Sequence, residues 1–215
     1  QQFSMPDGTT VNLIDARGLF VKNNQIMIAD PELKMVLICD MEGNVKTTLD
    51  KPESPVFPQN KPFCPTKVLA DISDNMYVIV DGVYQGAVTY DKNGNFMEFF
   101  GTNQVDLTVE ILVEKFWRNF MTEEQIDAST RNVPIEYSNF DVDTDGFIYT
   151  CTAAKSDKKD EIRKINTAGI NVFSSRQYGD QQTIVYKAIS QSTSFVDVSV
   201  NDDGFLFAAD STKGR

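Results

Sequence analysis

A module recurs along this chain: an alternating apolar strand, a tight turn rich in Asp, Asn and Gly, and a second apolar strand. Its clearest copies are "NFDVDTDGFIYT" (139–150) and "FVDVSVNDDGFLFAAD" (195–210). Looser copies are "KVLADISDNMYVIVD" (67–81) and "GLFVKNNQIMIAD" (18–30). Each reads as a β-hairpin, because alternation places one face of a strand in a core and Asx-Gly residues accept the turn. A second hairpin pattern follows three of them, in "MVLICDMEGNVKTTL" (35–49), "GAVTYDKNGNFMEFF" (86–100) and "EIRKINTAGINVFSS" (161–175). Two successive hairpins make a four-stranded antiparallel unit, and a row of such units predicts an all-β fold, a β-propeller with one blade per unit. The units fall at about 17–50, 66–101, 137–176 and 193–215, about three and a half blades in one partial propeller domain spanning 1–215.

The stretch Asp141-Val142-Asp143-Thr144-Asp145-Gly146 also matches the first half of a calcium loop, with Asp141, Asp143 and Asp145 as candidate ligands. Position twelve of such a loop requires a bidentate Glu, and Thr152 stands there. The flanks alternate as strands, and the corresponding turns "SVNDDG" and "DISDN" lose ligands. The expected role of Asp145 and Gly146 is therefore turn geometry, since Asx and Gly tolerate positive φ. A structural calcium ion is the alternative.

On "DVDTDGFIYT", "SVNDDGFLFAAD" and "AVTYDKNGNFMEFFG" the chain resembles the NHL-repeat β-propellers, over about residues 17–101 and 137–215. The nearest pattern is that of bacterial NHL-like proteins with a helical insertion followed by Pro-x-Glu-Tyr-Ser-Asn, here Pro134 to Asn139. The resemblance implies a ring of six blades, of which this chain carries about half, and an extracytoplasmic site in a bacterium. It also implies that strand-ending Asp30, Asp81 and Asp210 cap the turn after the second strand. Two departures stand out: Asn23-Asn24-Gln25 replaces Asp-x-x-Gly in the first unit, and Thr152 replaces the strand-ending Asp in the third. "TTVNLI" (9–14) reads as a strand of a preceding blade or one that completes the last blade.

Three segments leave the repeat. In 106–132 the period becomes helical, with Val109, Leu112, Val113, Phe116, Trp117 and Phe120 forming one stripe. Thr122 and Gln125 form a capping box for a second short helix, and Pro134 limits its end. The stripe either packs on the propeller or presents Phe116, Trp117 and Phe120 as candidate binding residues, aromatics being favoured at hot spots. The loop "KPESPVFPQNKPFCP" (51–65) holds five of the eight prolines and is expected to cross one face as an ordered tie. "KSDKKDE" (155–161) reads as a solvated hairpin tip.

Composition narrows the chemistry. The chain has no histidine, which removes imidazole acid–base catalysis and histidine-activated nucleophiles; any chemistry must use carboxylates, Lys, Tyr or an oxygen-coordinated metal, and no catalytic residue is singled out. A net charge of -11 without a compensating Lys/Arg cluster argues against nucleic acid. Cys39, Cys64 and Cys151 show no CxxC spacing and read as buried small apolar groups. No apolar run is long enough to span a membrane, and the first residues lack a signal-peptide pattern. The expected function is a non-enzymatic binding or scaffold propeller for a protein, peptide or glycan partner, without a cofactor. The alternatives are a lactonase-type metal-dependent hydrolase, whose oxygen ligands would come from several blades, and a propeller with a structural calcium site.

Overall fold

A computed structural model describes residues 2–83, 85–101, 137–152, 162–173 and 194–211, and every regular element among them is a β-strand. Strands β1 (Gln2–Ser4) and β2 (Thr10–Asn12) pair as a hairpin. The first blade is β3 (Gly18–Lys22), β4 (Gln25–Asp30), β5 (Met35–Asp40) and β6 (Val45–Leu49), antiparallel in that order. The second blade repeats this with β7 (Pro65–Ala70), β8 (Met76–Val80), β9 (Ala87–Tyr90) and β10 (Phe96–Phe100). A third contains β11 (Asn139–Val142), β12 (Ile148–Cys151) and β13 (Ile162–Ile165), and a fourth contains β14 (Phe195–Val200) and β15 (Leu206–Asp210).

The first strands of successive blades lie next to one another, β3 against β7, β7 against β11, and β11 against β14, so they form the inner wall. Blades that fan out from an axis leave wedge-shaped gaps, narrow inside and wide outside. The residues follow that taper. At the inner wall a Cβ on Gly18 would lie 2.7 Å from the Thr66 carbonyl oxygen and 2.8 Å from the Lys67 Cα, so only glycine permits the approach. Toward the rim, between blades one and two, Phe57, Phe63, Phe96, Phe99 and Tyr90 fill the gap. Phe57 stacks on Phe99 at 6.2 Å and meets Phe63 at 6.3 Å. Burying two full phenylalanine side chains contributes about 3–6 kcal/mol to holding these blades together.

One turn recurs six times among the described residues. At Asp40, Asp71, Asp91, Asp143, Asn166 and Asn201 the backbone N–H donates to the carbonyl four residues on and the carbonyl accepts from the N–H three residues on. The side-chain oxygen takes the N–H four residues on in every case, and in five cases also the N–H two residues on. The third residue after each Asx has positive φ and is Gly43, Asp74, Gly94, Gly146, Gly169 or Gly204. Asp-x-x-Gly is thus a closed Asx turn, in which the carboxylate satisfies N–H groups that the tight loop cannot pair otherwise. The first unit departs from the motif because its turn has only two residues, Asn23 and Asn24, both with positive φ.

Asp30 is completely buried. Its Oδ2 accepts from the N–H groups of Ile14 and Asp15 at 2.8 and 3.0 Å, and its Oδ1 from those of Glu32 and Leu33 at 3.0 and 3.1 Å. It therefore caps the turn after β4, as expected, and also anchors the segment entering the blade. Asp210 accepts from the Ser194 N–H at 3.2 Å. The fourth strand foreseen for the third unit is represented, among the described residues, by a bridge from Asn171 to Ile165. The segment 9–14 forms β2, paired with the unforeseen β1. This hairpin packs Phe3 against Ile28, Leu37, Cys39 and Val45 on the face of blade one that points away from blade two. The helical insertion 106–132, with its stripe, and 155–161 lie outside the described residues.

Candidate binding face

Antiparallel alternation divides the loops between two faces. The six Asx turns and Asn23-Asn24 gather on one, and the connections from second to third strand and from blade to blade gather on the other. The turn face spends its polar groups on itself. Lys22 donates to the Asp71 carbonyl and pairs with Asp74 at 2.5 Å, joining blade one to the turn of blade two. Asp141 accepts from Ser199 Oγ and from the Val200 N–H, each at 2.9 Å, joining blade three to blade four. Asn139 donates to Asp197 between the same blades.

The three carboxylates of the calcium-like stretch therefore do different work. Asp141 faces the next blade. Asp143 accepts from the N–H groups of Asp145 and Phe147, from Tyr149 Oη at 3.1 Å and from Lys164 Nζ at 3.2 Å. Burial works to raise the Asp143 carboxyl, but these donors and the Lys164 charge hold it below its ordinary value. Lys164 also lies over the rings of Phe147 at 4.3 Å and Tyr149 at 4.9 Å, so its charge is embedded in this corner. Asp145 is exposed. Among the described residues no group of three or more His, Cys, Asp or Glu side chains converges as an ion-binding cluster.

The opposite face carries the long connections. The proline-rich loop is tied down: Gln59 Nε2 donates to the carbonyls of Pro52, Ser54 and Phe57, Lys51 Nζ donates to the Gln59 carbonyl at 2.6 Å, and Tyr90 Oη donates to the Asp50 carbonyl at 2.7 Å. With Phe57 and Phe63 in the core it is the structural tie its composition suggested.

A second anchor marks where residues 102–136 depart. Tyr137 is buried, and its hydroxyl donates to the carbonyl of Gly101. A Cβ on Gly101 would lie 2.9 Å from that hydroxyl, so glycine is needed for the contact. The chain therefore leaves and re-enters the propeller at one point between blades two and three. Phe116, Trp117 and Phe120 belong to the excursion and lie outside the described residues. The clasp itself was missed at the sequence level, although Tyr137 stands in the Pro-x-Glu-Tyr-Ser-Asn stretch. Cys39 and Cys151 are buried, as expected, and burial pushes their thiols up to about 11 and about 12, while Cys64 is half-buried.

No family model matches the chain, and no curated protein matches it. Solved structures share its fold. A streptogramin B lyase superposes with a TM-score of 0.55 at 10% identity, covering 97% of this chain and 51% of that one. A catalytically inactive histidine-to-alanine variant of virginiamycin B lyase from Staphylococcus aureus, with quinupristin, gives 0.54 at 10% identity, covering 97% and 52%. The extracellular domain named for a hybrid two component system of B. thetaiotaomicron gives 0.52 at 10% identity, covering 97% and 23%. Together with the blades these likenesses establish an all-β propeller fold, and the chain spans about half the length of either lyase.

Proposed function

We propose that this propeller is a non-enzymatic binding scaffold for a protein, peptide or glycan partner, and that residues 102–136 present the contact residues Phe116, Trp117 and Phe120. The observation that carries this reading is the Tyr137–Gly101 clasp, which fixes both ends of an aromatic-bearing excursion on a tied framework. A rigid base under an aromatic segment reduces the ordering cost of binding. The commitment of Asp30, Asp141 and Asp143 to backbone and inter-blade contacts supports the same reading. The chain contains no histidine, the residue type whose replacement inactivates the lyase variant of like fold. An extracytoplasmic location is part of the proposal, supported by the extracellular domains of two component systems that share the fold.

The test pans the purified chain against a displayed random-peptide library and a glycan array. It then repeats any enriched interaction with Phe116→Ala and Trp117→Ala variants. Enrichment that both variants lose, with melting temperature unchanged, supports the proposal. Turnover of a p-nitrophenyl ester or a lactone that disappears in EDTA overturns it in favour of a metal-dependent hydrolase. Failure to enrich any probe also counts against it.

A further inference from the structure

Asn93 is the single Asn of the chain that stands before a glycine. That pairing has its own chemistry. An Asn side chain is an amide electrophile, and the main-chain nitrogen of the next residue can close a ring on its Cγ when no side chain on that residue shields it. The four Asp-Gly pairs, at Asp7, Asp81, Asp145 and Asp203, present an ionised carboxylate instead, a far poorer electrophile. Asn93 is exposed in the rim turn that joins β9 to β10.

The turn holds the reacting nitrogen away from that side chain. The Gly94 N–H donates to the Asp91 carbonyl at 2.9 Å, and the Asp91 N–H donates to the Asn95 carbonyl at 2.9 Å. Asp91 Oδ1 accepts from the N–H groups of Asn93 and Asn95, each at 2.8 Å, and its Oδ2 from Asn95 Nδ2 at 2.9 Å. Ring closure requires the Gly94 nitrogen to give up its proton and swing onto Asn93 Cγ, so these bonds must break first. At an exposed rim turn that is a local opening and does not require the whole chain to unfold.

We propose that Asn93 is a self-modification site, gated by opening of the Asp91 turn, whose product loosens the joint between blades one and two. The Gly94 nitrogen loses its proton to solvent base and bonds to Asn93 Cγ, and the side-chain nitrogen takes up a proton and leaves as ammonia. Water then opens the cyclic imide at either carbonyl, giving aspartate or isoaspartate at position 93. The fold accepts the first product, because Asp145 and Asp203 occupy the same place in sister turns and are exposed as Asn93 is. It does not accept the second. Isoaspartate routes the main chain through the former side chain and adds a methylene to the turn that Asp91 and Asn95 close. Gly94 rests on β6, where an added Cβ would lie 3.3 Å from Leu49 Cδ2 and 3.8 Å from the Thr48 carbonyl oxygen. A lengthened turn displaces that contact and, two residues on, shifts Phe96, which packs edge-on against Tyr90 and Phe99 in the rim core.

The test incubates the 215-residue chain at mildly alkaline pH, in native buffer and in urea, and follows each Asn by peptide mapping and an isoaspartyl methyltransferase assay. Asn93 should react before any other Asn, and faster in urea than in native buffer. Asp91→Ala should speed the native reaction about tenfold, the factor expected when hydrogen bonds to a charged acceptor no longer hold the turn closed. In hydrogen exchange, protein enriched in isoaspartate should open faster than fresh protein at β6 and β10, whereas Asn93→Asp should exchange as wild type does. Reaction first at another Asn overturns the site. Equal rates in urea and native buffer overturn the gate, whether or not the Asp91 variant folds. Unchanged exchange in the isoaspartate-enriched protein overturns the loosening of the joint.

Discussion

Asp30 shows how one buried carboxylate can serve two segments. Burial works to raise its pKa, but four backbone N–H donors outweigh this and hold it below the ordinary carboxylate value. Such a group contributes its full stabilisation above the unfolded value of about 3.9 and loses it as pH falls through the lower folded value. Asn is not equivalent, because its amide nitrogen would face two N–H donors. Asp30→Asn should therefore cost about 2–4 kcal/mol at neutral pH, the penalty for unsatisfied buried groups. In urea unfolding between pH 7 and pH 3 the gap to wild type should narrow as the pH drops below about 4. A constant gap would show that the carboxylate charge is not the source.

The six Asx turns were legible as hairpins because Asp-x-x-Gly is a local device, set by residues within five positions of each other. Their chemistry can be separated by substitution at Gly146, where φ is 85° and a Cβ would meet Ile72 Cδ1 at an ordinary 3.4 Å. The cost is thus conformational: Gly146→Ala should destabilise by about 1–2 kcal/mol. Gly146→Asn should cost less, since Asn tolerates the left-handed region. Equal losses in thermal unfolding would point to crowding instead. Addition of calcium or EDTA should leave all three midpoints where they are, because Asp143 is occupied by protein donors and Lys164; an upward shift with calcium would restore the ion-binding reading. The β1 strand and the Tyr137–Gly101 clasp were not legible in the same way. The clasp depends on partners 36 residues apart, and "QFS" (2–4) is too short for a period to register.

In a row of blades, each contacts chiefly its neighbours, so stability is close to a sum of blade and interface contributions. Those contributions differ along the row. Blades one and two share a broad core extending to the aromatic rim, and blades two and three share one built around Leu69, Tyr77, Phe140 and Ile165. Among the described residues, blades three and four share a smaller set, Tyr149, Cys151, Ile162, Phe195 and Val198, fastened by the Asp141 carboxylate. Local opening should therefore start at β14–β15 and move inward. In native-state hydrogen exchange on dilute wild-type protein, the amides of β14 and β15 should exchange before those of β4, β5 and β8. Asp141→Ala removes the acceptor for Ser199 and Val200 without touching blade one or two. It should speed exchange in β14–β15 by about tenfold, the equivalent of roughly 1.4 kcal/mol for lost hydrogen bonds to a charged acceptor, while leaving β3–β10 unchanged. Uniform acceleration across all blades would instead mean that the row opens as one cooperative unit and that its interfaces are too strongly coupled for the end blade to act alone.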